Sequence, residues 1–470
     1  MHFVDRVNEL GRLDALSGPG LAVVSGRRRV GKTRLLLEWN RRRGGIYTVA
    51  DQSSDPIQRR YFSESIAAHA PGFADAVFPD WRSLLRALAR EAQRGAIPGP
   101  LIIDEVPYLL ASSPSLASVL QNFVDHEGRD SGVMLVLAGS SQRMMQGFVI
   151  DSSAPLFGRA RESIRLRPLQ PGYIGDALSL RSASDCVKAF AVWGGIPRYW
   201  ELAEPFGVDL ERALDALALD PQGPLHREPD LLLLEEQPSA AVLRPLLDAI
   251  GAGAHRISEI GGRVGQPATS LSRPLARLVE LDLVRREVPF GEPELSGKRA
   301  LYKLSDPFFR FWFRVVAAHR GWLATSTRAM RRELLHQHLP RLVADEWECM
   351  CREAVTRLGA LASGRAGPWG PASRYWRGAG PEWDVVSRSI DGKAMLLGEV
   401  KWSERPVTDA YLERAYAELL SKGVPDLDAC KGSKLVYAVF VSACPAPLKR
   451  KKRSFVVIDA ADVVAAMRDD

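Results

Sequence analysis

"LAVVSGRRRVGKTRLLLEW", residues 21–39, decides how the rest of the chain is read. Leu21 to Val24 form a short apolar run suited to a buried parallel strand, and Leu35, Leu36 and Trp39 recur at helical spacing. Between strand and helix lies Gly26-x-x-x-x-Gly31-Lys32-Thr33. The glycines let the backbone of Gly26, Arg27, Arg28, Arg29, Val30, Gly31, Lys32, Thr33 and Arg34 curl around phosphate oxygens. The helix N-terminus adds a favourable dipole. Lys32 is expected to reach the β- and γ-phosphates and Thr33 to hold Mg²⁺ through its hydroxyl. The cofactors implied are ATP and Mg²⁺.

The partner element is "PLIIDEVPYLL", residues 100–110. Leu101, Ile102 and Ile103 read as a second buried strand ending in Asp104 and Glu105. Acids at that end face the crevice where open α/β sheets bind ligands. Asp104 is assigned to the Mg²⁺ shell and Glu105 to the attacking water, because phosphoryl transfer needs positioning and charge stabilisation more than covalent chemistry. A third apolar run, Val133 to Ala138, ends in "GSSQ" and places Ser140 or Ser141 to sense the γ-phosphate or hold the water. Serines also commonly follow strands as helix caps. Asp5 is expected to cap a helix carrying Val7, Leu10, Leu13 and Leu16. Downstream, Arg159, Arg161, Arg165 and Arg167 fall at alternating positions. Arg159 is the candidate for stabilising transition-state charge, in cis or from a neighbouring subunit; a basic edge strand is the plain alternative.

The chain has 470 residues, too long for one ordinary core, and suggests roughly three units. Its 46% hydrophobic and 25% charged content is that of a globular protein, and no apolar run is long enough to span a membrane. The first residues, MHFVDRVNEL, lack the apolar core of a signal peptide. Five scattered cysteines without zinc spacing point to a reduced, cytoplasmic setting. A net charge of +7 permits a polyanionic partner.

GRRRVGKT, LIIDEVPYL, the GSS turn, LFGRARESIRLRPL and WGGIPRYW (193–200) together resemble the archaeal-type P-loop ATPases of the AAA-related STAND branch. The resemblance implies that Phe3, Arg6 and Glu9 form an N-terminal box near the adenine. It also implies that Gly195, Ile196 and Pro197 form a lid motif linking nucleotide state to the next domain.

Residues from about 238 to 316 read as helix, turn, helix and β-hairpin, the winged helix-turn-helix pattern. Leu271, Leu275, Leu278 and Leu281 line one face of the second long helix, with Ser270, Arg273 and Arg277 on the other. Arg273 and Arg277 are the candidates for the major groove, and Lys298 and Arg299 of the basic wing for phosphates. The alternative is a structural coupler between domains. "PFFRFWFRVV", residues 307–316, reads as core packing.

In the last segment, "PEWDVVSRSIDGKAMLLGEVKWS" (381–403) holds two strand-like runs around the turn IDGK and predicts a hairpin. Glu399 and Lys401, two apart on a strand, share a face. Across the hairpin Asp384 and Glu399 can come together and coordinate a divalent cation through oxygen, with Lys401 positioning a water beside a phosphate. A structural cross-strand ion pair is the alternative. Asp384, Glu399 and Lys401 in this arrangement resemble the PD-(D/E)XK nuclease core. The resemblance adds Glu348 as the helical acid, while Trp383 stands where that family has proline. "KRKKR", 449–453, is either a solvated loop or, through Lys449 and Arg450, a phosphate-tracking patch.

The expected fold is α/β: a P-loop NTPase core (1–170), a helical lid (171–235), a winged helix-turn-helix domain (236–318) and a C-terminal restriction-endonuclease-like domain (335–470). The expected activity is Mg²⁺-dependent ATP hydrolysis coupled to DNA binding and metal-dependent DNA cleavage. The alternative is an ATP-switched DNA-binding regulator, or a signalling ATPase, with an inactive nuclease-like domain. Expected partners are DNA and further copies of the chain through an arginine-mediated interface, with no membrane.

Overall fold

The computed structural model describes residues 2–236, 240–294, 299–358, 367–378, 380–405 and 407–468. Lys298 lies outside the described residues. The chain divides into two compact units, one of residues 6–168 with 196–198 and the other of residues 1–5, 169–195 and 199–470.

The first unit is an all-parallel sheet of β1 (Gly20–Ser25), β2 (Ile46–Val49), β3 (Leu101–Asp104), β4 (Met134–Gly139) and β5 (Ala160–Arg165), in the order β2-β3-β4-β1-β5. Buried on both faces, β3 and β4 read as continuous apolar runs, as parallel strands do. Six helices matter here: α1 (Val7–Asp14), α2 (Lys32–Arg43), α3 (Asp55–Ala67), α4 (Trp81–Gln93), α5 (Val106–Ser112) and α6 (Leu116–Asp125). Leu84, Leu85 and Leu88 of α4 and Leu116, Leu120 and Phe123 of α6 join Leu101, Ile103, Leu135 and Leu137 in one core. Parallel register sets Ser25 level with Gly139 and Ile103 level with Leu137. The loops that leave β1, β3 and β4 therefore share one edge of the sheet.

The second unit holds the three segments that the sequence separates. Its helix α7 (Ala183–Trp193) packs against the long α11 (Arg328–Ala354). The Trp193 ring stacks on Phe308 at 6.3 Å, and Tyr199 lies 4.5 Å from the same ring. Phe308, Phe309, Phe311 and Trp312 are all fully buried, so the aromatic run is core. Aromatic side chains of this size bury 150–250 Å² each and dominate the packing they join, at roughly 2–3 kcal/mol apiece.

Helices α8 (Ala240–Gly251), α9 (Ile257–Val264) and α10 (Ser272–Glu280) precede an antiparallel pair, β6 (Val284–Glu287) and β7 (Leu301–Leu304). Leu271, Leu275, Leu278 and Leu281 are buried as their spacing required. The Arg285 guanidinium of β6 donates to Cys349 Sγ of α11 at 2.8 Å, tying the hairpin to that helix.

The second unit's sheet has the order β12-β11-β10-β9-β8. Its strands are β8 (Ser373–Tyr375), β9 (Trp383–Arg388), β10 (Ala394–Lys401), β11 (Lys434–Val441) and β12 (Val456–Asp459). β9 and β10 form an antiparallel hairpin around the IDGK turn, and β10, β11 and β12 run parallel. Helix α12 (Asp409–Ser421) covers the face carrying Met395 and Leu397, through Leu419. On the opposite face Gly398 is required, because an added Cβ would lie 2.9 Å from both Phe440 Cε2 and Val385 Cβ. No described helix is long and apolar enough to cross a membrane.

Candidate functional site

The phosphate loop between β1 and α2 is shaped by two glycines that no other residue replaces easily. Gly26 has φ 153° and a Cβ there would sit 2.7 Å from the Leu166 carbonyl oxygen; Gly31 has φ 96°. Lys32 is buried and its Nζ donates to the Gly26 and Arg27 carbonyls at 2.9 and 3.0 Å, so it already lies across the loop. Arg28 donates to Tyr108 Oη at 2.9 Å, and Arg6 to the Val30 carbonyl at 2.9 Å and to Glu9 at 3.0 Å. Arg6 and Glu9 thus brace the loop from α1.

Thr33 Oγ1 donates to Asp104 Oδ2 at 2.7 Å, joining the loop to the end of β3. Asp104 is fully buried and also accepts from Tyr47 Oη at 2.9 Å. Burial and the Asp104 carboxylate push the Tyr47 hydroxyl well above its usual 10. Glu105 has φ 55°, a left-handed conformation that costs a side-chain-bearing residue about 1–2 kcal/mol. Its carboxylate accepts from Ser140 Oγ at 2.7 Å and from the Ser140 N–H at 3.2 Å. Ser141 instead caps the helical turn that follows, accepting from the Met144 N–H at 3.5 Å. Hydroxyl and carboxylate oxygens at the sheet edge are the hard donors that suit Mg²⁺, and the loop's backbone N–H groups and Lys32 suit phosphate.

Arg159, the candidate for stabilising transition-state charge in cis or from a neighbouring copy, is engaged within its own unit. Its guanidinium is held bidentately by Asp125 of α6, at 2.8 and 2.9 Å. The pair keeps the Asp125 carboxyl below its usual range and Arg159 above its own. Arg161 likewise donates to the Ser17 and Pro19 carbonyls. Within the second unit, the Gly195 carbonyl accepts from the Leu169 N–H at 2.7 Å. Ile196 and Pro197 group with the nucleotide unit, where a Cβ on Gly31 would lie 3.4 Å from Pro197 Cγ.

In the second unit the hairpin register pairs Gly398 with Val385, which puts Glu399 opposite Asp384 on the face covered by α12. Asp384 Oδ2 accepts from the Val400 N–H at 2.9 Å. Glu399 is buried, with Oε1 3.0 Å from Lys401 Nζ and Oε2 against Lys422 Nζ. Lys401 also reaches Glu418 Oε2 at 2.8 Å. From α11, Glu348 faces Arg352 at 3.5 Å, and Arg352 donates to the Asp384 carbonyl at 3.1 Å. Burial, then Glu348, then Glu399 push the Asp384 carboxyl up from 3.8 to about 6. Lys401 is held well above its usual range: burial opposes its charge, but the bonds it donates to Glu418 and Glu399 outweigh it.

The carboxylates expected to ligate a metal here are near one another but not assembled around one point. Among the described residues no group of three or more His, Cys, Asp or Glu side chains is placed to hold a metal ion. The physical reason is local: lysines occupy both Glu399 oxygens and Arg352 takes Glu348. Lys422, Glu418 and Tyr47 were not legible as site residues, because each enters from an element whose packing partner the sequence does not state.

The expected nucleic-acid contacts divide. Arg273 and Arg450 are exposed. Arg277 pairs with Glu280 at 2.9 Å and Arg299 with Glu292 at 2.7 Å. Lys449 is closed on Asp459 at 2.9 Å and Asp462 at 2.5 Å, and the buried Arg453 on Asp409, while Arg450, Lys451 and Lys452 of the same run are exposed.

Sheet and loop together define the class of the first unit: a P-loop ATPase. Residues 3–202 match the model of an ATPase domain predominantly from Archaea, and residues 312–415 that of archaeal and bacterial proteins of unknown function. An uncharacterized protein of Methanocaldococcus jannaschii is 25% identical over 424 residues, covering 89% of this chain and 91% of its own. Among solved structures, the Walker-type ATPase of Pyrococcus abyssi aligns with a TM-score of 0.52 at 19% identity, over 67% of this chain and 96% of that one. This last likeness is one of fold.

Proposed function

We propose that the protein is a Mg²⁺-dependent ATP hydrolase whose nucleotide state governs a DNA-binding unit that cleaves phosphodiesters at Asp384, Glu399 and Lys401. The observation that carries the first half is the wiring of the sheet edge, Thr33 to Asp104 and Ser140 to Glu105, at 2.7 Å each. Mg²⁺, when bound, neutralises phosphate charge. Lys32 binds the β- and γ-phosphates, Thr33 and Asp104 hold the ion, and Glu105, steadied by Ser140, orients the attacking water and takes its proton. Arg159 would act on a neighbouring copy only after leaving Asp125.

The DNA half rests on two supports. Helices α9 and α10 followed by the β6–β7 hairpin favour a winged helix-turn-helix, with exposed Arg273 on its second helix. Asp384, pushed up to about 6 by burial first and then by Glu348 and Glu399, favours a site that gains by taking up a cation. The donor chemistry is hard oxygen, which fits Mg²⁺ or Mn²⁺ once Glu399 Oε2 is released from Lys422. There Lys401 would position the water beside the scissile phosphate. The resemblance to STAND ATPases and PD-(D/E)XK nucleases, and a cytoplasmic setting, belong to this same proposal.

The rival is an ATP-switched DNA-binding regulator that does not cut, and the lysine clamp on Glu399 is what favours it. Supercoiled, linear and single-stranded DNA incubated with Mg²⁺ or Mn²⁺, with and without ATP, separate the two. Cutting abolished by Asp384→Ala supports cleavage, and the Lys32→Ala lane reports nucleotide control. Salt-dependent DNA binding without cutting under every condition selects the regulator.

A further inference from the structure

Glu399 is compensated from two sides by groups of different standing. Lys401 belongs to the same strand and has a second partner, Glu418, at 2.8 Å. Lys422 comes from the residue just past α12, where the helix's carbonyl end favours a cation, and reaches Glu399 Oε2. Its side chain is one-fifth exposed, whereas that of Glu399 is 6% exposed. A compact, strongly hydrated ammonium on a flexible four-carbon stem can swing out to water, while Glu399 is fixed on a central strand. With both oxygens paired, Glu399 is neutralised without any metal.

We infer that Lys422 is a latch on the acid hairpin: its ammonium occupies Glu399 in the metal-free protein and must leave before a divalent cation can be held by Asp384 and Glu399. The inference rests on the cleavage reading above and adds to it a positioning residue that neither strand of the hairpin carries. Lys422 acts through Glu399 and touches no reacting atom. Its effect is to lower apparent metal affinity by the fraction of molecules in which the latch is closed. Glu418, beside Lys422 on the last turn of α12, keeps Lys401 engaged after the latch opens, so the strand lysine stays in place.

The test is Mn²⁺ binding to the full, nucleotide-free chain, read as free Mn²⁺ by electron paramagnetic resonance. Wild type, Lys422→Met and Lys422→Gln are compared, each with and without Glu399→Gln, and thermal melts establish that every variant is folded. Both Lys422 variants should bind Mn²⁺ at least about tenfold more tightly than wild type, a difference of about 1.4 kcal/mol. That gain should vanish when Glu399→Gln is added. Equal affinity in wild type and the Lys422 variants, lost with Glu399→Gln, overturns the latch and keeps the metal site. No Glu399-dependent Mn²⁺ binding in any variant overturns the metal site and the latch with it.

Discussion

Replacing Asp384 by asparagine should stabilise the second unit at neutral pH and do much less in acid. The carboxyl is lifted from 3.8 to about 6, chiefly by burial and then by Glu348 and Glu399. A raised folded-state value means the protonated form is the one the fold prefers. Its contribution is therefore fully present below about 3.8, declines as pH rises, and is lost above about 6. A shift of roughly 2 units at about 1.36 kcal/mol each puts the cost of the ionised form near 3 kcal/mol at pH 7.5, and near 1 kcal/mol at pH 4.5. Asparagine carries no charge and its side-chain oxygen can still accept the Val400 N–H that Asp384 Oδ2 accepts at 2.9 Å. Urea unfolding without divalent cations, at pH 4.5 and pH 7.5, should show Asp384→Asn more stable than wild type by amounts of that order, growing with pH. A variant less stable than wild type at pH 7.5, or a gain that shrinks as pH rises, would mean that Asp384 is ionised in the fold at little cost, and the reasoning would fail.

Glu105→Gln should lower ATP hydrolysis at least about 100-fold while nucleotide binding, followed with a fluorescent analogue, is kept; an unchanged rate removes Glu105 as the base. Because Arg159 is committed to Asp125 with about a third of each side chain exposed, Arg159→Ala should cost within about 1 kcal/mol of stability and leave hydrolysis within about tenfold. A loss on the order of 10³ that depends on protein concentration would instead assign it to a neighbouring copy's active site. Gly398→Ala should destabilise the second unit by about 1–3 kcal/mol in urea, since neither Phe440 nor the β9 backbone under Val385 has room to yield; a neutral result would show that face to be looser than described.

What the sequence determined alone is what its local order dictates. A glycine loop between an apolar strand and a helix, an acid pair ending another strand, and Glu399 beside Lys401 on one face all follow from periodicities of 3.6 and 2 within single elements. The Asp384–Glu399 pairing was legible too, because a short turn fixes the register of a hairpin. Tertiary structure alone decided the partners. Tyr47 meets Asp104 because β2 lies beside β3, which no residue in either strand announces. Arg159 is drawn to Asp125, 34 residues away, and Lys422 to Glu399, 23 residues away. The alternation of arginines over 159–167 told only which way these side chains point within their own segment. A charge goes to whichever opposite charge the packing brings within a few ångströms, and that distance is set by which elements become neighbours, not by the residues that flank it.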